Sequence, residues 1–328
     1  MKKFVMSTRA QEWMKKIIRK VVMPVTTLAC VIWAVKVVIS EENRPALERL
    51  LEMPGSSAQL LLALSIGTTF IHGILFWIAA RPIRKMSLMN MEAINAVAAS
   101  AQPLPFGLGK VFRFAAHRVI DGLKTSEIFA WFAARAVLVS LVPFSVWCGS
   151  WVSGQVSVSW VVWTLAILFI TNSLCYLCAT WPEKILLALN RTGWLLDCVQ
   201  GLSQVLRQLW VLVTHSGLSL LDLGIHALRF VVICNVLQCD IGLGEALLMA
   251  SWYFFSGLFL WAGLREGSTG GLAALLGLPG EQFFIVASTV TLVELTANLL
   301  LALLGGGWLG ARLWNNNKNN GGNEGGNA

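Results

Sequence analysis

Apolar residues gather along this chain in runs of about 20, the length an α-helix needs to cross a hydrocarbon core. The runs fall at Val21–Ile39, Ala58–Ala80, Ile128–Trp147, Val158–Thr180, Gly217–Gln238, Ala246–Leu264 and Phe283–Leu304, with polar or glycine-rich stretches between them. Two segments are too short to cross. Met89–Ala101 stops at Pro103-Leu-Pro105-Phe-Gly107-Leu-Gly109-Lys110, and Leu272–Leu278 stops at Pro279-Gly280. Segments of that length fit a re-entrant or interfacial position. The pattern predicts an all-α polytopic membrane protein with about seven transmembrane helices and two short re-entrant or interfacial broken helices. Trp194–His215 would make an eighth span. The charges around it, Lys184, Arg191 and Arg207 against Glu183 and Asp197, favour a surface helix instead.

Composition supports this reading. The chain is 56% hydrophobic and 13% charged, where soluble domains carry about 25% charged residues. Many of its 15 tryptophans, such as Trp147, Trp151, Trp160, Trp163, Trp181 and Trp308, sit at run ends, where an amphipathic ring suits the interface. A net charge of +8 would suggest nucleic acid in a soluble protein. Here the basic residues lie in loops, so they imply topology and attraction to anionic lipid, with no nucleic-acid partner.

Charge also orders the chain. Residues 1–20 form a basic amphipathic segment with Lys2, Lys3, Arg9, Lys15, Lys16, Arg19 and Lys20, and the second run ends at Arg81-Pro-Ile-Arg84-Lys85. Val111–Thr125 reads as a basic amphipathic helix lying on headgroups. The segments expected on the other side are acidic or uncharged: Glu41, Glu42, Glu48 and Glu52 in the first, and 148–157 in the second. This asymmetry predicts a cytoplasmic N-terminus, and seven spans would then leave the tail outside. Residues 21–310 form a single transmembrane domain, and 311–328 an Asn/Gly-rich tail expected to be disordered. Cys175-x-x-Cys178 lies within an apolar run with no second pair and no nearby histidine, which implies packing. No metal or other cofactor is expected.

Charged side chains in a span cost roughly 2.5–3.5 kcal/mol on insertion scales, so they usually pair, face the bundle interior or line a path. Arg135, Asp222, His226, Arg229 and Glu294 fall within runs. Asp222 and His226 are four residues apart and share a helix face, a candidate polar pair, with Arg229 further along the same stripe. Guanidinium groups match phosphate bidentately, so an inward-facing arginine set points to a phosphate-bearing headgroup.

The motifs themselves suggest a family. Leu104-Pro105-Phe-Gly107-Leu-Gly109-Lys-Val-Phe-Arg113, followed by Arg135 in the next run, and Gly263-Leu-Arg265-Glu266-Gly267, followed by the last span, resemble the lysylphosphatidylglycerol synthase transmembrane-region, or flippase-like, family. Where members carry Pro-Gly-Gly ahead of the second motif, this chain reads Leu258-Phe-Leu-Trp261. The resemblance implies translocation of anionic phospholipid or polyprenyl-linked lipid across the cytoplasmic (inner) membrane of a prokaryote. It also implies partnership with membrane lipids or a lipid-linked intermediate. Arg113, Arg135, Arg229, Arg265, Glu266 and Glu294 would then contact substrate, with Pro105, Gly107, Gly109, Gly263 and Gly267 as structural motif positions. No soluble catalytic domain or convincing catalytic constellation is visible, so a non-enzyme is expected. The alternatives are an accessory subunit of, or an enzyme in, envelope lipid or glycan synthesis, and a secondary transporter of a small anion.

Overall fold

The computed structural model describes residues 44–101, 108–153, 158–188, 193–239, 241–257 and 264–321. The expected first span, the basic segment 1–20, Pro105, Gly107, Gly263 and residues 322–328 lie outside them. The regular elements of the described residues are all helices: α1 (Arg44–Leu51), α2 (Gly55–Ala80), α3 (Leu88–Ser100), α4 (Leu108–Ile120), α5 (Thr125–Ser153), α6 (Val158–Cys178), α7 (Trp181–Ala188), α8 (Trp194–Leu206), α9 (Leu209–Leu237), α10 (Leu243–Ser256), α11 (Leu264–Leu275) and α12 (Gly280–Gly321). Among the described residues, five segments are long and apolar enough to cross a membrane: Gly55–Ala80, Thr125–Ser153, Val158–Ala188, Leu209–Leu237 and Gly280–Ala311.

Two expectations need correction. The sixth run, Ala246–Leu264, is not one helix. α10 stops at Ser256, and Leu264 opens the separate helix α11. Hydropathy alone could not show this, because the residues between are as apolar as a span. Trp194–His215 is not an eighth span either, since α8 ends at Leu206 and Leu209–His215 opens α9.

Contacts at the helix ends fix direction. At one end, Arg84 donates to the Gly122 carbonyl at 3.0 Å and Gln204 to the Pro82 carbonyl at 2.6 Å. These bonds gather the end of α2, the turn after α4 and α8. At the other end, Arg49 of α1 donates to the Leu237 carbonyl at 2.8 Å, and Cys239 lies 3.1 Å from Gln282 at the start of α12. α12 therefore starts beside the end of α9 and runs back towards the basic end, where Leu309 packs with Ala93, Ile94 and Ala116. The tail expected outside thus leaves the bundle at the same end as Arg84, because α10 and α11 turn back instead of crossing. The helix continues through 315–321 of the Asn/Gly-rich stretch.

α3 and α4 form an antiparallel hairpin entering from the basic end. Asn90 near its base donates to Asp121 at 3.3 Å, and Asn95 further in donates to the carbonyl of Thr69, midway along α2, at 2.9 Å. α10 and α11 form a second hairpin from the opposite end. The start of α11 reaches the middle of α12, where Arg265 donates to Thr291 Oγ1 at 2.8 Å. Gly277, at φ +76°, ends α11 in a left-handed turn, and the Leu278 amide bonds back to the Ala273 carbonyl at 2.9 Å. Gly305 lets α12 close on α3, since a Cβ there would sit 3.0 Å from the Ala93 carbonyl oxygen. Trp131, Phe230, Tyr253, Phe283 and Leu61 are wholly or almost wholly buried in the main core.

Candidate functional site

The inner ends of α3, α4, α10 and α11 border a cavity of about 370 Å³. α2 contributes Thr68, Thr69, His72 and Phe76, α9 His226, and α12 Glu294 and Asn298. Among the described residues, the basic lining side chains are Lys110, Arg113, Arg135 and Arg265, and the acidic one is Glu294. Ala98 and Ala99 of α3 with Phe132, Ala136 and Val139 of α5 supply an apolar part of the wall.

The site has two parts. In the first, the arginines of the second hairpin and α9 are matched by carboxylates. Arg265 lies 3.0 Å from Glu266 and 3.6 Å from Glu294, and its guanidinium sits 3.9 Å from the Tyr253 ring centre. Arg229, fully buried, lies 2.9 Å from the other Glu294 oxygen and donates to Ser65 at 3.1 Å. The Tyr253 hydroxyl donates to Glu294 at 3.1 Å, and Thr291 donates to Glu266. His226 Nε2 is 3.4 Å from Glu294, and its Nδ1 donates to the Asp222 carbonyl at 2.9 Å. Asp222 in turn bonds His72 Nε2 at 2.8 Å.

In the second part, among the described residues, Arg113 and Arg135 rest on a neutral amide and an aromatic ring instead. Arg113 donates to Asn95 at 2.8 Å, and Arg135 lies over the Phe76 ring at 3.3 Å, with Arg113 over the same ring at 3.8 Å. The Nε atoms of both arginines are buried without a hydrogen-bond partner among the described residues. Contact with the ring's negative quadrupole offsets part of the desolvation of both cations. Burial pulls Arg113 down to about 9, which still leaves it cationic at neutral pH. Lys110 is lowered by burial and by Arg113 beside it.

Of the residues singled out from sequence, Gly109, Arg113, Arg135, His226, Arg265 and Glu294 line the cavity. Arg229 lies behind it on Glu294, Glu266 behind Arg265, and Asp222 between His72 and His226. Gly267 sits in the first turns of α11 and does not line the cavity. Sequence reasoning missed His72, Asn95, Asn298 and Tyr253, although the first three are polar residues inside apolar helices, the same signal that flagged Arg229. No group of three or more His, Cys, Asp or Glu side chains among the described residues could hold a metal ion.

The fold and site together define a membrane-embedded helical protein with a cationic cavity between two opposed hairpins. Comparison with protein-family models, curated proteins and solved structures returned no match.

Proposed function

We propose that this chain is a flippase-like integral membrane protein that holds the anionic headgroup of a phospholipid or polyprenyl-linked lipid in the cavity and passes it between leaflets. One observation carries the reading: a small cavity inside a bundle of apolar helices, lined among the described residues by four basic side chains against one carboxylate. Its volume is near the lower end of small-molecule sites, roughly 300–1,000 Å³, which suits a headgroup rather than a whole lipid. The apolar wall at Ala98, Ala99, Ala136 and Val139 suits the start of the hydrocarbon chains. Hairpins that stop midway are tolerated where they line a polar cavity, and opposed pairs of them occur in proteins that alternate access. Counting Val21–Ile39 as a crossing gives six spans in a prokaryotic inner membrane, with the N-terminus and the end of α12 both cytoplasmic.

The test is transfer of a fluorescent phospholipid between leaflets of reconstituted vesicles. Wild type transfers it, and Arg265→Ala, with unchanged helical content, does not. Equal transfer by both would overturn the reading. A second reading, an enzyme acting on a lipid-linked sugar, draws on His226 at the cavity wall with Asp222 behind it. It predicts that His226→Ala abolishes turnover while lipid transfer continues.

A further inference from the structure

The turn that ends α9 holds two cysteines against each other. Gln238 sits at φ 59° and ψ 34°, in the left-handed region. Its amide bonds to the Asn235 carbonyl at 3.2 Å, and the Cys239 amide bonds to the Cys234 carbonyl at 2.8 Å. These two bonds make a Schellman turn, which brings the residues at its ends together. Standard backbone dimensions across such a contact hold the two Cα atoms within about 6.7 Å, inside the range of about 4.4–6.8 Å that a disulfide bridges. The side chains also converge, because the Cys234 thiol donates to the Cys239 sulfur. Both are free thiols here, Cys234 buried and Cys239 half-buried.

The surroundings favour reaction at Cys239. Arg49 stands beside the turn, donating to the Leu237 carbonyl at 2.8 Å. The hydrogen bond from Cys234, with the Arg49 charge added to it, outweighs burial and draws the Cys239 thiol below the usual cysteine range. The turn lies at the end of the bundle opposite Arg84, which the proposed orientation places outside the cytoplasm, where disulfides form and persist. From this turn we infer that Cys234 and Cys239 are joined in the cell by a disulfide that staples the end of α9. The oxidant is a disulfide-bearing thiol oxidoreductase of the cell envelope. The Cys239 thiolate attacks the oxidant's disulfide and releases one of its sulfurs as a thiolate. Cys234 then gives up its proton and attacks the Cys239 sulfur, which expels the oxidant's second sulfur. The cysteine pair loses two electrons and two protons, and the oxidant ends as a dithiol. The staple holds a left-handed turn that a residue other than glycine enters at a conformational cost. It does so where α1, through Arg49, and α12, through Gln282, both meet the end of α9, the helix that carries His226 and Arg229. It depends on the proposed orientation and not on what the cavity holds.

The experiment is differential alkylation of the full chain in cell membranes, read by peptide mass spectrometry. N-ethylmaleimide in denaturant marks free thiols, and iodoacetamide after reduction marks those that were bonded. Cys234 and Cys239 are expected to carry the second label, and the unreduced peptide bearing both should be lighter by a pair of hydrogens. Reduction should lower the Tm of wild type by a few degrees and leave that of Cys234→Ser/Cys239→Ser unchanged. The first label on both cysteines, or a bond from either to another cysteine, overturns the inference. An unchanged wild-type Tm on reduction overturns the hold on α9. Glu52→Cys in the doubly substituted background separates a missing staple from a wrong orientation, since Glu52 is exposed just past α1 at the same end. A membrane-impermeant maleimide, added to cells with a permeabilised outer envelope, labels that variant if the end faces outward. Free cysteines with a labelled Glu52→Cys variant remove the staple and leave the orientation standing. Labelling of that variant only after lysis removes the orientation too.

Discussion

Glu294 joins four side chains from three helices, and its neutralisation is the most informative perturbation. Its carboxylate lies 2.9 Å from Arg229, 3.6 Å from Arg265 and 3.4 Å from His226, and it accepts the Tyr253 hydroxyl at 3.1 Å. Arg229 has no exposure, and its other contact is the neutral Ser65 hydroxyl. Glu294→Gln keeps the shape and removes the charge, stranding a buried guanidinium. Two unit charges about 4 Å apart at an effective dielectric near 20 interact by about 4 kcal/mol, and removing one partner of a buried pair costs about 3–5 kcal/mol. For a chain of this size a loss of that order lowers Tm by about 10 °C. Thermal unfolding in detergent, followed by tryptophan fluorescence, measures it. The double variant Arg229→Gln/Glu294→Gln leaves neither charge stranded and should recover most of the loss, a coupling of about 2–3 kcal/mol. A Tm change within about 2 °C for Glu294→Gln, or losses in the double variant that simply add, would refute the account of the pair.

Two further predictions rest on separate features. Gly305→Val forces a branched side chain against the Ala93 backbone and should cost about 1–3 kcal/mol in thermal unfolding. Gly306→Ala meets nothing within 4 Å and should be neutral or add up to about 1 kcal/mol through helix propensity; equal effects would contradict the α3–α12 contact. Glu92, pushed up to about 8 by burial, holds a proton in the folded state that the unfolded chain has already released. Its contribution therefore makes stability fall as pH rises from the usual carboxylate range to about 8. Glu92→Gln removes that fall, so its stability advantage over wild type should grow between about pH 5 and about pH 8, and parallel profiles would refute it.

How much of this was legible in the sequence depended on the kind of signal. Helix Gly55–Ala80 and the helices at Thr125–Ser153 and Gly280–Ala311 follow from hydropathy, because lipid demands long apolar helices and little else looks like them. Pro103 to Lys110 marked a break through its prolines and glycines. Leu258–Trp261 carries no such mark, so Ala246–Leu264 read as a crossing, and an error in one element reversed the expected direction of the last span. With that element a hairpin, α2, α3–α4 and α5 are matched by α9, α10–α11 and α12 in the opposite direction. The seven-run count had hidden this inverted arrangement by making the two halves parallel. Intramembrane charge flagged Arg135, Arg229 and Glu294, since buried charge is costly whatever surrounds it. The partition of the arginines, two on carboxylates and two on an amide and a ring, was not legible. It depends on which side chains of α4, α5, α11 and α12 meet across the bundle, and His72, Asn95 and Tyr253 gain their roles only from those meetings.

The central claim is that the cavity between the hairpins holds a phosphate-bearing lipid headgroup. Native mass spectrometry of the full chain, released from mild detergent after purification from membranes, tests it most directly. The account predicts one phosphate-bearing lipid retained per chain in wild type, and its loss in Arg113→Gln/Arg135→Gln at unchanged helical content. Retention of the same lipid at the same stoichiometry by that double variant would contradict it.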